Sequence, residues 1–464
     1  MTATDKLTAL DASFLWFEHP DAPVHVGAVA TFEAGPLLDA GGDLRIGDIR
    51  ARVAARLDAL PRLRRRLAPV PFELDRPRWV DDTDFDIAAH VKEVRAPAPG
   101  DDAALRRVAA EIQSRVLPRD RPLWDLQFVT GLDGDRVGLV ERIHHSLVDG
   151  VSGVDLAAIL LDLTPDAPAV PLRPWRPAPA PSGGDLVVDG LRDRLADPAR
   201  AARAVADAAR HPLRSLRAAA TIGRGLATAV GNGLLAPRTS LNRAIGGPRC
   251  LAWVRADLAA VRAAGRRAGG SLNDVVLAAV AGGLRALLAE RGEPLPADLA
   301  LKVLVPVSRR ADDEHGALGN RVTAMFAPLP VGIGDPADRL DAVVATMRGL
   351  KAEPEGEAFA MLLGAADAVP AGAAHLLTRA IERQPFVNLV VTNVPGPPVP
   401  LYAAGARMLE AFPVVPLGAN LTVGAAVLSY DEALTVTLTA DAEACPDVDV
   451  LAGGIDLALA GYAV

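Results

Sequence analysis

Seven prolines fall between Thr164 and Gly184, at positions 165, 168, 171, 174, 177, 179 and 181. Each removes a backbone donor and blocks an interior helical turn, so this stretch cannot be a helix and reads as an extended crossover or linker. At 464 residues the chain is also too long for one hydrophobic core. These constraints predict two units, one on either side of this crossover. On both sides of the prolines, strand-like and helix-like segments alternate. Val24 to Phe32 reads as a strand, Ile49 to Leu60 as a helix stopped by Pro61, and Ala103 to Val116 as an amphipathic helix stopped by Pro118. Val154 to Leu163 also has helical spacing. Beyond residue 250, strands are expected at Ala252 to Ala256, Leu301 to Val307, Phe386 to Thr392, Leu421 to Tyr430 and Ala433 to Thr439. A long helix is expected over Leu272 to Glu290, opened by Ser271 or Asn273. The fold class is therefore α/β, with a mixed sheet in each half.

The net charge of −8 gives no reason to expect a nucleic acid partner. Cys250 and Cys445 are the only cysteines and lie far apart, so a disulfide framework is not expected and a reducing cytoplasm fits better. Met1 to Leu10 lacks a basic start followed by an apolar core, and the best apolar run, Val275 to Leu284, is too short to span a bilayer. Any membrane contact is expected to be peripheral. Arginines at 192, 194, 200, 203, 210, 214, 217 and 224 form either a basic amphipathic helix on an anionic lipid surface or the charged outer face of a helical insertion. The cluster Arg62, Arg64, Arg65 and Arg66 offers a site for an acidic group such as phosphate, or simply a solvated helix end.

The chemistry is concentrated in His144-His145-Ser146-Leu147-Val148-Asp149-Gly150, which follows the strand-like run Val137-Gly138-Leu139-Val140. Histidine is the side chain best suited to taking a proton near neutral pH. Neighbours on a strand point to opposite faces, so His144 and His145 share one cavity only if the strand ends there. One of them is expected to be the base and the other to hold the turn. The spacing also disfavours a metal, because zinc motifs place their histidines one helical turn apart. Asp149-Gly150 is a turn signal, and Asp149 reads as a scaffold that folds back on its own motif or pairs with a buried arginine. Ser146 and Ser308 lie outside any GxSxG elbow, which argues against covalent catalysis.

Other fragments join this motif. Pro122-Leu123-Trp124 precedes it by about one strand and turn, and reads locally as a turn followed by a core tryptophan. Asn273-Asp274 sits at a helix start, where Asn273 could be a cap or a site residue. Val305 to Arg310 ends a strand, followed by Gly319-Asn320-Arg321. Asn393-Val394-Pro395-Gly396-Pro397 is rich in turn formers, suits a tunnel wall or crossover, and leads into Leu401-Tyr402-Ala403-Ala404-Gly405.

In this order and at these separations the fragments resemble the bacterial wax ester synthase/diacylglycerol acyltransferase family, from Leu10-Asp11-Ala12-Ser13-Phe14 to about Leu451 and least across 165–235. HHxxxDG alone is shared with chloramphenicol acetyltransferases, peptide-synthetase condensation domains and polyketide-associated acyltransferases. The resemblance implies two chloramphenicol-acetyltransferase-like domains, over roughly 1–165 and 240–464 and joined by a Pro-rich crossover and helical linker over 166–239, each a mixed sheet flanked by helices, with an active-site tunnel between them. It implies transfer of a long-chain acyl group from acyl-CoA to diacylglycerol or a long-chain alcohol, with no metal or organic cofactor. Carried over, His145 is the general base, and Asp149 is structural, with Arg310 as its candidate partner. Asn273 and Asp274 line or brace the site. The implied setting is cytoplasmic, with peripheral contact to the plasma membrane or lipid droplets. Two other readings remain open: an HHxxxDG enzyme using carrier-bound acyl groups or another acceptor, and a non-catalytic lipid-binding homologue.

Overall fold

The computed structural model describes residues 5–147, 161–192, 235–308, 322–352 and 384–463. Asp149, Gly150, Arg310 and the arginines at 194–224 lie outside these residues, as does most of the helix expected over Val154 to Leu163. Of that segment's described end, Asp162 forms an isolated bridge with Tyr402.

Two six-stranded mixed sheets organise the chain. The first has the order β12-β13-β2-β7-β6-β5. Its strands are β2 (His25–Glu33), β5 (Val91–Arg95), β6 (Trp124–Thr130), β7 (Arg136–His144), β12 (Tyr402–Ala403) and β13 (Ala406–Val414). The second has the order β10-β9-β11-β14-β15-β8. Its strands are β8 (Arg249–Asp257), β9 (Leu301–Ser308), β10 (Val322–Leu329), β11 (Leu389–Pro395), β14 (Val423–Tyr430) and β15 (Ala433–Asp441). A small sheet, β1 (Asp5–Lys6), β4 (Arg78–Asp81) and β3 (Arg65–Ala68), sits beside the first.

Helices flank both sheets. Beside the first are α1 (Ala9–Phe17), α2 (Ile46–Arg56) and α3 (Asp102–Gln113). Beside the second are α4 (Leu258–Arg267), α5 (Leu272–Glu290), α6 (Pro336–Ala352) and α7 (Val448–Ala463). Helix α5 is long and apolar enough to cross a bilayer by length and composition. Here it is the core helix of the second unit, with Val275 to Ala281, Leu284, Leu287 and Leu288 all fully buried. A helix apolar on every side belongs in such a place.

Strands β12 and β13 come from the second half of the chain but complete the first sheet, β13 running antiparallel to β2 with Ala411 opposite Ala30. The chain thus leaves the second sheet after β11, adds an edge to the first, and returns as β14. Tyr430 ties this excursion down: its hydroxyl accepts from Leu401 N–H at 2.9 Å and donates to Met408 O at 3.0 Å. Helix α3 lies where the units meet, and a shared cluster joins Val29, Val129 and Val140 of the first sheet to Leu251 and Trp253 of β8. Trp253 stacks on Phe412 of β13 at 4.3 Å. Arg255 of β8 bridges Asp102 of α3 (2.6 Å) and Glu410 of β13, which clamps three elements from both halves.

Two of the arginines near residue 62 are not open to a phosphate. Arg64 is buried against Asp58 and Ala54 O, and Arg65 pairs with Asp5 and Asp81. Carboxylates brought by the tertiary fold consume these charges.

Candidate active site

Strand β7 delivers the two histidines. It is central in its sheet, and inside its span Arg142 makes a two-pronged ion pair with Asp125 of β6, at 2.9 and 2.6 Å, with both side chains buried. The remaining guanidinium donor reaches the carbonyls of Ile112 and Arg115 at the end of α3, both at 2.6 Å. Burying such a pair is tolerable only when its polar groups find partners, and here each guanidinium nitrogen has an acceptor. Gly27, on β2 beside this point, is required: a Cβ there would sit 1.9 Å from Glu141 O.

His144 is the last residue of β7 and stands opposite His25. Its N–H donates to Leu123 O at 2.9 Å, so Pro122-Leu123-Trp124 fixes the strand end through its backbone. Trp124 itself is core: its ring stacks on His90 at 4.5 Å and its Nε1–H donates to Leu63 O at 2.8 Å. After His144 the chain turns, with Leu147 N–H donating to His144 O and His145 N–H to Val24 O.

The adjacent imidazoles have different surroundings. His144 is wholly buried, and its Nδ1 accepts from Ser146 N–H at 3.1 Å with Ser146 Oγ at 2.7 Å. A backbone N–H only donates, so the neutral ring carries its proton on Nε2. That nitrogen lies 3.4 Å from Glu18 Oε1. Glu18 is also buried and accepts from Arg119 (3.0 Å) and Val24 N–H (3.3 Å). Burial alone would raise its carboxyl, but the His144 imidazole, then Arg119 and Val24 N–H, hold it at about 2. His144 is therefore a strut of the turn.

His145 retains partial exposure. Its ring stacks on Phe14 of α1, centroids 4.0 Å apart and planes 25° from parallel. Its Nδ1 is buried without a hydrogen-bond partner among the described residues. Burial pushes its pKa down to about 4, with the neighbouring His144 adding to the effect, so it is uncharged at neutral pH. A neutral imidazole on an accessible face can accept a proton.

The second unit contributes a separate cluster. Ser271 caps α5 through a reciprocal box: Asp274 N–H reaches Ser271 Oγ, and Asp274 Oδ2 accepts from Ser271 N–H at 2.7 Å. Asn273 is thus released from the capping role that the sequence left open for it. Its Oδ1 accepts from Asn393 Nδ2 at 3.3 Å, which joins two motifs 120 residues apart. Asp274 is held in the packing at 3% exposure. Beyond Asn393, Pro395 pairs with Ser429 at the end of β11, and a Cβ on Gly396 would lie 2.2 Å from Ser429 O, so only glycine admits that approach.

Sequence reasoning missed Glu18, Asp125, Arg142, His25 and the stacking role of Phe14. Opposite charges beside the Pro122-Leu123-Trp124 and double-histidine motifs, at Asp125 and Arg142, were the one available signal for the ion pair. Glu18 has no such local mark.

Two mixed sheets flanked by helices, with paired histidines where a central strand of one sheet ends, define an acyltransferase of the chloramphenicol-acetyltransferase-like class. The chain belongs to the wax ester synthase/diacylglycerol acyltransferase family: the family model of the catalytic domain matches residues 7–276 and that of the WS/DGAT C-terminal domain residues 318–461. Two relatives from Mycobacterium tuberculosis carry the name diacylglycerol O-acyltransferase. One is 32% identical over 98% of this chain and 90% of its own length, the other 35% identical over 94% and 92%. Among solved structures, the wax ester synthase/diacylglycerol acyltransferase of Marinobacter aquaeolei VT8 superposes with a TM-score of 0.70 at 24% identity, covering 99% of this chain and 98% of that one. The first condensation domain of the CDA synthetase shares the fold at a TM-score of 0.56 and 17% identity, covering 100% and 96%.

Proposed function

We propose that this acyltransferase moves a long-chain acyl group from acyl-CoA to the hydroxyl of diacylglycerol, of a long-chain alcohol, or of both. His145 serves as general base and no acyl-enzyme forms. The observation that carries this reading is the unlike fate of the two histidines: His144 is wholly buried between Ser146 and Glu18, and His145 is neutral and keeps partial exposure.

A thioester is already activated, so the chemistry needs alignment and removal of one proton. As the acceptor oxygen attacks the carbonyl carbon, its proton passes to His145. Negative charge gathering beside the ring raises the proton affinity that burial has lowered. The oxyanion collapses, the C–S bond breaks, and the leaving CoA thiolate takes the proton back from His145. Alignment of the two substrates and base assistance each contribute several kcal/mol. Asn273 or a backbone N–H beside Gly150 stabilises the oxyanion, and Asp149 braces the motif, with Arg310 as its partner. The substrates share a tunnel between the two units. The reaction uses no metal or organic cofactor. The protein works in the cytoplasm, in peripheral contact with membrane or lipid droplets through the arginine-rich stretch at 192–224, and salt should release part of it.

The test is purified protein with labelled palmitoyl-CoA and a panel of acceptors, with products separated by thin-layer chromatography. His145→Ala should lower turnover by about 10²–10⁴-fold with the melting temperature kept. Near-normal esterification by a folded His145→Ala protein would remove the base assignment. Turnover only with carrier-bound acyl groups would remove the donor assignment.

A further inference from the structure

Glu141 lies on β7, and none of the chemistry above uses it. Strand alternation places it on the face that carries Leu139 and Ile143, and the same parity continues to His145 beyond the strand end. Its neighbours across the sheet are Leu126 on β6 and Ala28 on β2, with Pro413 of β13 beyond Ala28. Along the strand it is flanked by the buried Leu139 and Ile143. A carboxyl group therefore sits in an apolar wall, with no titratable side chain at any of these adjoining positions. Its Oε1 is buried and has no hydrogen-bond partner among the described residues.

That wall is not closed. Pro413, Ala28, Val26, Glu141 and His145 all keep partial exposure on this one face, although Ala30, Phe32, Ala411 and Ile143 around them are buried. On this face an apolar chain reaching His145 would lie along β7 against these partly exposed positions, with Glu141 the one carboxyl among them.

We infer that Glu141 is a specificity residue for the substrate chain: its carboxyl hydrogen-bonds a hydroxyl carried by that chain well away from the reacting ester, so the enzyme favours hydroxylated long chains over plain ones. The inference rests on the function proposed above. Four residues of strand separate Glu141 from His145 by about 13 Å, a span of roughly ten methylenes. The ester groups of a diacylglycerol lie too close to its reacting hydroxyl to reach so far, so the recognised group belongs to the chain. A hydroxyl suits the site better than a charged group, because nothing in the apolar wall would repay the desolvation of an ion. Burial pushes the Glu141 carboxyl up to about 7, so near neutral pH the protonated form is present to donate as well as accept. An unpaired buried carboxyl is costly to keep, and a substrate hydroxyl would offset that cost.

The hydroxylated chain could be donor or acceptor, so the experiment has two arms. One compares octadecanoyl-CoA with a counterpart hydroxylated roughly ten carbons from the thioester. The other compares octadecanol with an equivalent diol. Each arm is run as a competition on wild type, Glu141→Leu and Glu141→Gln, reading the ratio of kcat/KM values together with the melting temperature. Wild type should favour the hydroxylated chain in one arm. Glu141→Leu should lower that ratio at least about tenfold, the weaker end of what a lost hydrogen bond costs in discrimination. Glu141→Gln, which keeps a donor and an acceptor, should retain part of it. No preference in either arm, or a preference unchanged in folded Glu141→Leu, overturns the inference while leaving the acyltransferase reading intact. Failure of wild type to esterify even the plain chains sinks both.

Discussion

The two six-stranded sheets have the same strand count but different interiors. The second is packed with aliphatic side chains around α5, and its buried Arg249 and Asp441 sit at strand ends, on the first residue of β8 and the last of β15. The first carries His25, Asp125, Arg142, His144 and Glu141 on or beside its two central strands, with Glu18 turned in from the end of α1. One sheet maximises dispersion and burial, and the other gives up some of that stabilisation to hold charged and neutral polar groups in fixed geometry. The motif turn emerges from the second kind of interior. Precise placement of an imidazole needs neighbours that cannot slide, and directional hydrogen bonds supply what apolar packing alone does not.

The sharpest way to break this contrast is to strand a charge. Arg142→Met leaves Asp125 buried without its partner and should cost about 3–5 kcal/mol in urea unfolding, with much of this recovered in the Arg142→Met/Asp125→Leu double variant. A cavity in the other sheet's core, Leu284→Ala, should cost a comparable 2–5 kcal/mol or so. Its kcat in the folded protein should stay near wild type, whereas Arg142→Met should lose activity beyond its loss of stability. Equal losses of kcat in the two variants would mean that the sheets do not divide labour in this way.

A smaller effect is expected from Glu18→Gln. The amide keeps the shape but removes the charge facing His144, so the turn loosens and kcat should fall about tenfold. KM should change little, because Glu18 lies behind His144. A KM effect with kcat preserved would place Glu18 in substrate binding instead.

The pH dependence of stability has two signs. His25 and His145 are pushed down to about 3 and about 4 from a normal value of 6.5. The unfolded chain therefore takes protons first, and the stability these groups contribute, complete above 6.5, is lost as pH falls through that window. Glu141 is raised from 4.5 to about 7, so its contribution is complete below 4.5 and is lost as pH rises towards 7. Glu141→Leu should remove the decline on the alkaline side and leave the acid side unchanged, as melting temperatures between pH 4 and pH 8 would report. An unaltered alkaline slope would show that the carboxyl is solvated.

Much of the fold was legible because hydrophobic period follows from local geometry. The strands expected at Val24 to Phe32, Leu301 to Val307, Leu421 to Tyr430 and Ala433 to Thr439, and the helix over Leu272 to Glu290, all form within a few residues of those bounds. The strand expected over Phe386 to Thr392 forms three residues later, at Leu389–Pro395, because Asn388 leaves the pattern to bind Lys302 N–H, Pro237 O and Asn242. Strand β13 went unread. Its Met408-to-Val414 run is apolar enough, but nothing local says that it joins a sheet built from the other half of the chain.

The sequence by itself determined the α/β class, the apolar central helix, and the set of motifs carried at the ends of strands and the start of a helix. Tertiary structure alone decided which neighbours each histidine meets. Glu18 reaches His144 across more than a hundred residues, Asn393 reaches Asn273 across a similar span, and β13 crosses between sheets. Periodicity reports on neighbours three or four residues away, and it carries no information about which distant groups the folded chain will set within hydrogen-bonding distance.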